Sequence, residues 1–377
     1  MTYRRTAFTW IAFGALYAFG YLNAVIGPSM PYIRSVEHIS YVVGALHQVA
    51  FAIGGGTAGV LSARNPERLG RRAVIAGGLL GGGLAGLAVA YGDAAPITIA
   101  GALLMGLLAT LALIRLWGAL ADAHGPRRAV AMTEGEVAVS LAGVVTPLLI
   151  SGLATTAATW RLAFVVGAAV TAAAAVAVLR ADIPPAQPAA PSSGAPRRVQ
   201  PTLVIVFAIV ALEFGLSFWL SSYLNEDVGL ALDTALPLVS GLYAANLTGR
   251  IIASRLARAH AAEHVLAGAL VSVLCGLPFL LAATSTLAAA AGIALAGAGI
   301  GALFPLTSSL HVQASARPAD GALGETLTVA GFGEISGPLL AAVIAQAVNL
   351  RAGLLILPAL TLLAAAALAA ATYGTRR

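Results

Sequence analysis

The sequence predicts an all-α membrane protein of twelve transmembrane helices, arranged as two pseudo-symmetric six-helix bundles. Three observations carry that prediction: an apolar composition, twelve apolar runs of spanning length, and an uneven placement of arginine. Hydrophobic residues make up 59% of the 377 and charged residues 10%, with a mean hydropathy of +0.90. A soluble domain is about half apolar and a quarter charged. A chain of this length cannot hide so much apolar surface in a core, so lipid must cover it. The 42 glycines suit membrane helices whose backbones approach closely; a GC-rich bacterial genome is the other reading of the same bias.

The first run, 7–26, is long, lacks a convincing cleavage site and leads on to the next helix, so it reads as a span rather than a signal peptide. Runs at 41–62, 73–90, 97–121, 129–154 and 162–179 complete the first six. The second six are 202–224, 235–252, 265–283, 287–310, 321–347 and 352–371. Short polar breaks separate them, and each run has the length that crosses a hydrocarbon core.

All 21 basic residues are arginine. With the N-terminus inside, the external loops hold only Arg34, Arg161 and Arg351, and Arg115 and Arg250 fall within spans. Every other arginine lands on an internal segment, which places both termini in the cytoplasm of a multi-pass protein of the bacterial inner membrane. The net charge of +6 therefore marks loops, not a nucleic-acid surface. The single cysteine, Cys275, sits in an apolar run, permits no internal disulfide and reads as packing.

The stretch IPPAQPAAPSSGAPRRVQP at 183–201 holds six prolines, which preclude a helix and give an extended solvated linker. It divides the chain into halves at 1–182 and 202–377. A weak internal echo supports their equivalence. TEGEVAVSLAGVVTPLL at 133–149 aligns without gaps with GETLTVAGFGEISGPLL at 324–340, an offset of 191 with four identities in 17. Parallel repeats of this kind occur in secondary transporters.

Four segments carry a resemblance. GVLSARNPERLGRR at 59–72 is similar to the Gly-x-x-x-Asp-Arg-x-Gly-Arg-Arg loop of the major facilitator superfamily, and GRIIASRLARAH at 249–260 resembles its looser second-half form. TWRLAF at 159–164 and SGPLL at 336–340 are also frequent in that superfamily. The loop departs from the pattern at Ala63, where an Asp is wanted, and Asn65-Pro66-Glu67 looks like an insertion. The drug-antiporter pattern of span five is degraded to AGVVTPLLISG at 142–152. The resemblance implies the superfamily's fold and secondary transport by a rocking of the two halves, and leaves the subfamily open.

Ionisable groups in hydrocarbon cost roughly 2.5–3.5 kcal/mol on insertion scales, so each needs a partner, water or a function. Seven qualify: Arg115, Glu134, Glu136, Glu213, Arg250, Glu325 and Glu334. Glu213 lies about 16 Å into span seven at 1.5 Å per residue, with Ser217 one turn on. A buried carboxyl can take up a proton reversibly near neutral pH, as proton coupling requires; a structural hydrogen bond to a neighbouring helix is the alternative. The local text resembles span seven of fucose-type proton symporters, although spans one and four lack the acidic residues of that branch. Glu334 is either a second proton site or a structural bond.

Arg115 can clamp a substrate carboxylate or phosphate with its planar fork, or pair with Glu134 or Glu136. Arg250, one turn after Asn246 and near Tyr243, resembles the span-eight arginine of monocarboxylate and oxalate carriers; a gate role is the alternative. On span one, Phe13, Tyr17 and Tyr21 form a stripe, which is packing or, for the two phenols, a substrate contact. His47 on span two either joins a proton path or is satisfied in place.

Glu134 and Glu325 are repeat-related and stand near the internal starts of their spans. The family fold implies that Glu134 meets Arg250, and Glu325 the 64–72 loop with Arg64 and Arg71, closing the inside face. Favourable placement near a helix N-terminus is the bland reading. The sequence holds no P-loop or HExxH, and its glycine-rich stretches lie inside apolar runs rather than in the strand-to-helix context of a GxGxxG fingerprint. No cofactor, no metal and no enzymatic activity are expected. The expected partners are a small-molecule substrate, protons and the lipid bilayer, for a monomer that exports an amphipathic or drug-like solute. The alternatives are an organic anion carrier using Arg115 and Arg250, and a non-transporting receptor.

Overall fold

The computed structural model describes residues 4–64, 70–125, 128–154, 159–184, 200–315 and 319–374. Its helices are α1 (Ala7–Glu37), α2 (Tyr41–Arg64), α3 (Arg71–Tyr91), α4 (Ala95–His124), α5 (Arg128–Leu153) and α6 (Leu162–Arg180). They continue as α7 (Gln200–Glu226), α8 (Leu232–Leu256), α9 (Ala262–Leu281), α10 (Thr286–Ala314) and α11 (Ala319–Ala347). The last span is broken into α12 (Leu350–Leu354) and α13 (Ile356–Gly374). There are no strands among the described residues.

Local chemistry fixes several boundaries. Thr6 caps α1 in a reciprocal box with Thr9, each side chain bonding the other's backbone N–H. Ser285 caps α10 and Asn349 caps α12. The first span outruns its expected end at residue 26: α1 continues through Pro28 and Pro31, both buried, to His38 in the left-handed region at φ 53°. Packing holds a helix together there against the intrinsic cost of proline.

Ten helices are long and apolar enough to cross a membrane, counting α12 and α13 as one, among the described residues. The two that fall short are long enough but more polar: α2 carries His47 and Gln48, and α8 carries Asp233, Asn246 and Arg250. This is an all-α membrane fold.

The Cα positions group into two compact units, one of residues 1–39 and 46–189, the other of 40–45 and 190–377. In the first, α1 packs on α5 and α6, and α3 on α4 and α6. In the second, α7 packs on α11 and α13, and α9 on α10 and α13, so the same scheme recurs. Small residues make the crossings close. A Cβ on Gly20 of α1 would stand 2.8 Å from the carbonyl oxygen of Val139 on α5, and one on Gly337 of α11 would collide with that of Ala211 on α7.

Equivalent arginines tie the corresponding helix ends. Arg161 donates to the carbonyl of Ala90 (2.7 Å) at the end of α3, and Arg351 to that of Ala283 (3.3 Å) just after α9. A cation on the last carbonyls of a helix also suits the helix dipole. The proline-rich linker lies outside the described residues over 185–199.

Candidate functional site

In the second unit, α7, α8 and α10 bring the expected residues of that half together. Glu213 and Ser217 stand one turn apart on α7, which packs on α8, and both side chains act on the Tyr243 phenol of α8. Glu213, Ser217 and Tyr243 are each half-buried. The sequence reading placed Tyr243 only beside the Arg250 stripe; its partnership with Ser217 and Glu213 depends on how α7 and α8 face each other, which spacing within either helix does not reveal.

Two turns beyond Tyr243, Arg250 donates its Nε–H to the carbonyl of Gly301 on α10 at 3.3 Å. Asn246 is buried. With its amide turned so that nitrogen faces acceptors, it donates to the carbonyls of Gly297 (2.7 Å) and Leu242 (3.2 Å). The α8–α10 crossing is so close that a Cβ at Gly301 would collide with the Asn246 backbone carbonyl. Asn246 therefore spends its amide on stitching these helices. Glu334 on α11 is half-buried.

In the first unit, Tyr21 is fully buried and donates its hydroxyl to the carbonyl of Ala163 at 2.7 Å. Tyr17, one turn earlier, is only half-buried. Phe13 stacks edge-on against Trp10 at 5.8 Å. Arg115 is half-buried on α4, and Glu136 is exposed. His47 is fully buried and shares a hydrogen bond with Thr98 (2.9 Å), whose hydroxyl reaches Glu37 at the end of α1 (3.3 Å). Among the described residues, no group of three His, Cys, Asp or Glu is placed to hold a metal ion.

The expected gate residues have partners within their own halves. Glu134 receives a bidentate pair from Arg5, at 2.6 and 2.9 Å. Glu325 bonds His311 of α10 at 3.2 Å. Arg71 pairs with Asp122 at the end of α4 (2.7 Å) and also donates to the carbonyl of Pro184 (3.1 Å), while Arg72 donates to that of Ala181 (2.6 Å). The side chain of Arg64 and residues 65–69, with the Asn65-Pro66-Glu67 insertion, lie outside the described residues.

Sequence reasoning passed over a matched pair of contacts. Thr9 of α1 bonds His124 at the end of α4 (2.9 Å), and Thr202 of α7 bonds His311 near the end of α10 (2.8 Å). The only signal was the near-repeat of threonine and histidine at about half the chain length.

A profile of the Major Facilitator Superfamily matches residues 10–324. No curated protein matches the sequence. Among solved structures, a bacterial homologue of the human lysosomal transporter Spinster, inward-facing and occupied, aligns with a TM-score of 0.77 at 13% identity, covering 99% of this chain and 98% of that one. A D-xylose–proton symporter aligns at 0.74 with 14% identity, covering 96% of each chain. A variant of the nucleoside transporter NupG aligns at 0.77 with 11% identity, covering 97% of this chain and all of that one. At these identities the likeness is one of fold. The profile match, over most of a chain built from two equivalent six-span halves, shows that this protein belongs to the major facilitator superfamily of membrane transporters.

Proposed function

We propose that the chain is a proton-coupled secondary transporter of a small organic solute, with Glu213 as the proton acceptor and alternating access of two halves, 1–182 and 202–377, joined by the 183–201 linker. The observation that carries the reading is the grouping of Glu213 with Ser217 and Tyr243 on facing helices of one unit. Hydroxyl and phenol both donate and accept. They can satisfy a carboxylate by donating to it, and one of them can accept from the protonated acid. Protonation removes a charge costing roughly 2.5–3.5 kcal/mol in hydrocarbon, so the site rearranges most readily when loaded. Glu334 on α11 is the second candidate for a carried proton. One fold neighbour is named as a proton symporter and another as a nucleoside transporter, which supports proton coupling and a small organic cargo.

Within that class we favour export of an amphipathic or drug-like compound, contacted by Tyr17, Ser217 and Glu213, by a monomer of the bacterial inner membrane with both termini cytoplasmic. Carriage of a small organic anion on Arg115 and Arg250 is the second reading, supported by the half-buried position of both guanidinium groups within spans. A receptor built on the same fold is the alternative from another class. A ligand-stabilisation screen of the purified protein across drugs, sugars and organic acids separates these. An organic acid whose affinity falls tenfold in Arg115→Lys or Arg250→Lys, because an ammonium cannot reproduce the planar fork, would establish the anion reading. A drug-like ligand indifferent to both changes removes it. A stabilising ligand that is never translocated into proteoliposomes would leave the receptor.

A further inference from the structure

The second unit holds a fully buried histidine with a partner on each ring nitrogen. His311 Nδ1 lies 2.8 Å from the Thr202 hydroxyl of α7, and Nε2 lies 3.2 Å from Oε2 of Glu325 on α11. Thr202 is nearly buried as well. We propose that His311, held between Thr202 and Glu325, is a second proton-binding station of transport; this rests on the reading of Glu213 as the first.

The partners suit a group that changes charge. A neutral ring whose Nε2–H points at Glu325 needs a donor at Nδ1, and a charged ring needs an acceptor there. A threonine hydroxyl is both, so it turns over and no hydrogen bond is lost. The Glu325 carboxylate offsets the charge the ring gains. In the first unit the repeat-related carboxylate, Glu134, is instead held by Arg5 at 2.6 and 2.9 Å. Arginine keeps its proton and histidine releases one, so the two halves are built differently at equivalent places.

The site also lies in line with Glu213. Thr202 and Glu213 are eleven residues apart on α7, three turns and about 16 Å, so they share one face. On α10, Thr307 and Ser308 stand one turn before His311 on its side of the helix. Both are at least nine-tenths buried, and neither hydroxyl has a partner among the described residues. They lie between His311 and Gly301, the level of Arg250.

Other charged groups on the helices against α10 are placed elsewhere. Arg250 donates its Nε–H to Gly301, and Arg255 and Arg258 at the end of α8 are exposed. On α9, Glu263 and His264 line a groove of about 370 Å³ with α13. Glu334 of α11 is nine residues beyond Glu325. In the step, the Thr202 O–H breaks as an N–H forms on His311 Nδ1. A proton released by the Glu213 carboxyl and carried by water along the three intervening turns of α7 restores the Thr202 hydroxyl. The Nε2 proton then passes to Glu325 Oε2 and from there to water at the helix ends. One proton moves, and the ring is left neutral with its proton on Nδ1. Loss of that proton to the Thr202 side, with uptake of one from water at Nε2, restores the starting tautomer.

Two measurements test this on the full chain in lipid nanodiscs. The first is ¹⁵N NMR of histidine-labelled protein between pH 5 and 9, with the His311 signal assigned by loss in His311→Asn. The imidazole should titrate in the wild type and in Glu213→Gln. In Glu325→Gln the charged fraction at pH 6 should fall at least threefold. A ring that stays in one charge state throughout, or titrates identically in Glu325→Gln, overturns the proposal. The second is the spin-label distance between the halves against pH. The pH-dependent shift of populations should be lost in His311→Asn and in His311→Gln, whose amides hydrogen-bond but do not titrate. If it survives in both and vanishes only in Glu213→Gln, this station falls and the Glu213 reading stands. If the wild type shows no pH dependence, both fall.

Discussion

Arg71 places one guanidinium nitrogen 2.7 Å from the carboxylate of Asp122 and 3.1 Å from the carbonyl of Pro184. The start of α3 is thereby tied to the end of α4 and to the segment after α6, with both charged side chains less than one-fifth exposed. Partial burial makes the pair costly to break from one side, because the survivor is left uncompensated. Asp122→Asn should therefore destabilise the protein by about 1–3 kcal/mol. Arg71→Lys should not rescue that loss, since it does not restore the missing carboxylate charge at residue 122. Thermal unfolding of the single and double variants in detergent measures the coupling.

Tyr21 and Tyr17 are one turn apart, yet the structure gives them different work. The Tyr21 hydroxyl is already committed to Ala163 in a buried bond. Tyr21→Phe should cost about 1 kcal/mol of stability and leave ligand affinity within about twofold. Tyr17→Phe should do the reverse, lowering affinity by about 1 kcal/mol, or fivefold, if its half-buried phenol meets the substrate. Paired unfolding and ligand-titration curves for the two variants check this.

At the inner gate, the expectation of pairs between halves now competes with pairs inside each half: Arg5 with Glu134 and His311 with Glu325. Arg5 and Glu134 are 45% and 26% exposed, so their pair is worth about 0–1 kcal/mol. A gate built from Glu134, Glu325, Arg250, Arg64 and Arg71 needs several such pairs and a near-balanced equilibrium. Neutralising Glu134 and Glu325 together should shift the population inward-open by more than either change alone. Spin-label distances at the internal ends of the spans report it, and a wild-type distribution in the double variant would reduce these carboxylates to helix-end charges.

The fold was legible because hydrocarbon imposes one demand along the whole chain: long apolar helices with backbone bonds closed internally. Expected starts at 7, 41 and 162 coincide with α1, α2 and α6. The misses have local causes. Pro28 and Pro31 read as a stop, but packing around both carries α1 eleven residues further. Leu355 interrupts the last span three residues before Pro358, where composition alone shows a continuous run. The site was less legible. Glu213 stood out as a carboxyl at mid-span, because its depth can be counted. The partners Tyr243, Asp122 and His311 come from other helices and Arg5 from the segment before α1, and their pairing depends on helix rotation and crossing. Asn246 was legible as a polar residue within span eight and a candidate substrate contact beside Arg250, but not as a stitch to Gly297, since nothing within α8 shows how closely α10 approaches.

The central claim is that Glu213 carries the proton, and one measurement reaches it most directly. Once the screen has identified a ligand, wild type and Glu213→Gln are reconstituted into vesicles and assayed for uphill movement of that solute under an imposed pH gradient, alongside equilibrium exchange. The glutamine is isosteric and remains neutral, so it mimics the loaded carboxyl without the ability to release a proton. Gradient-driven accumulation should fall at least a hundredfold while binding and exchange persist. Undiminished uphill transport by Glu213→Gln would contradict the account.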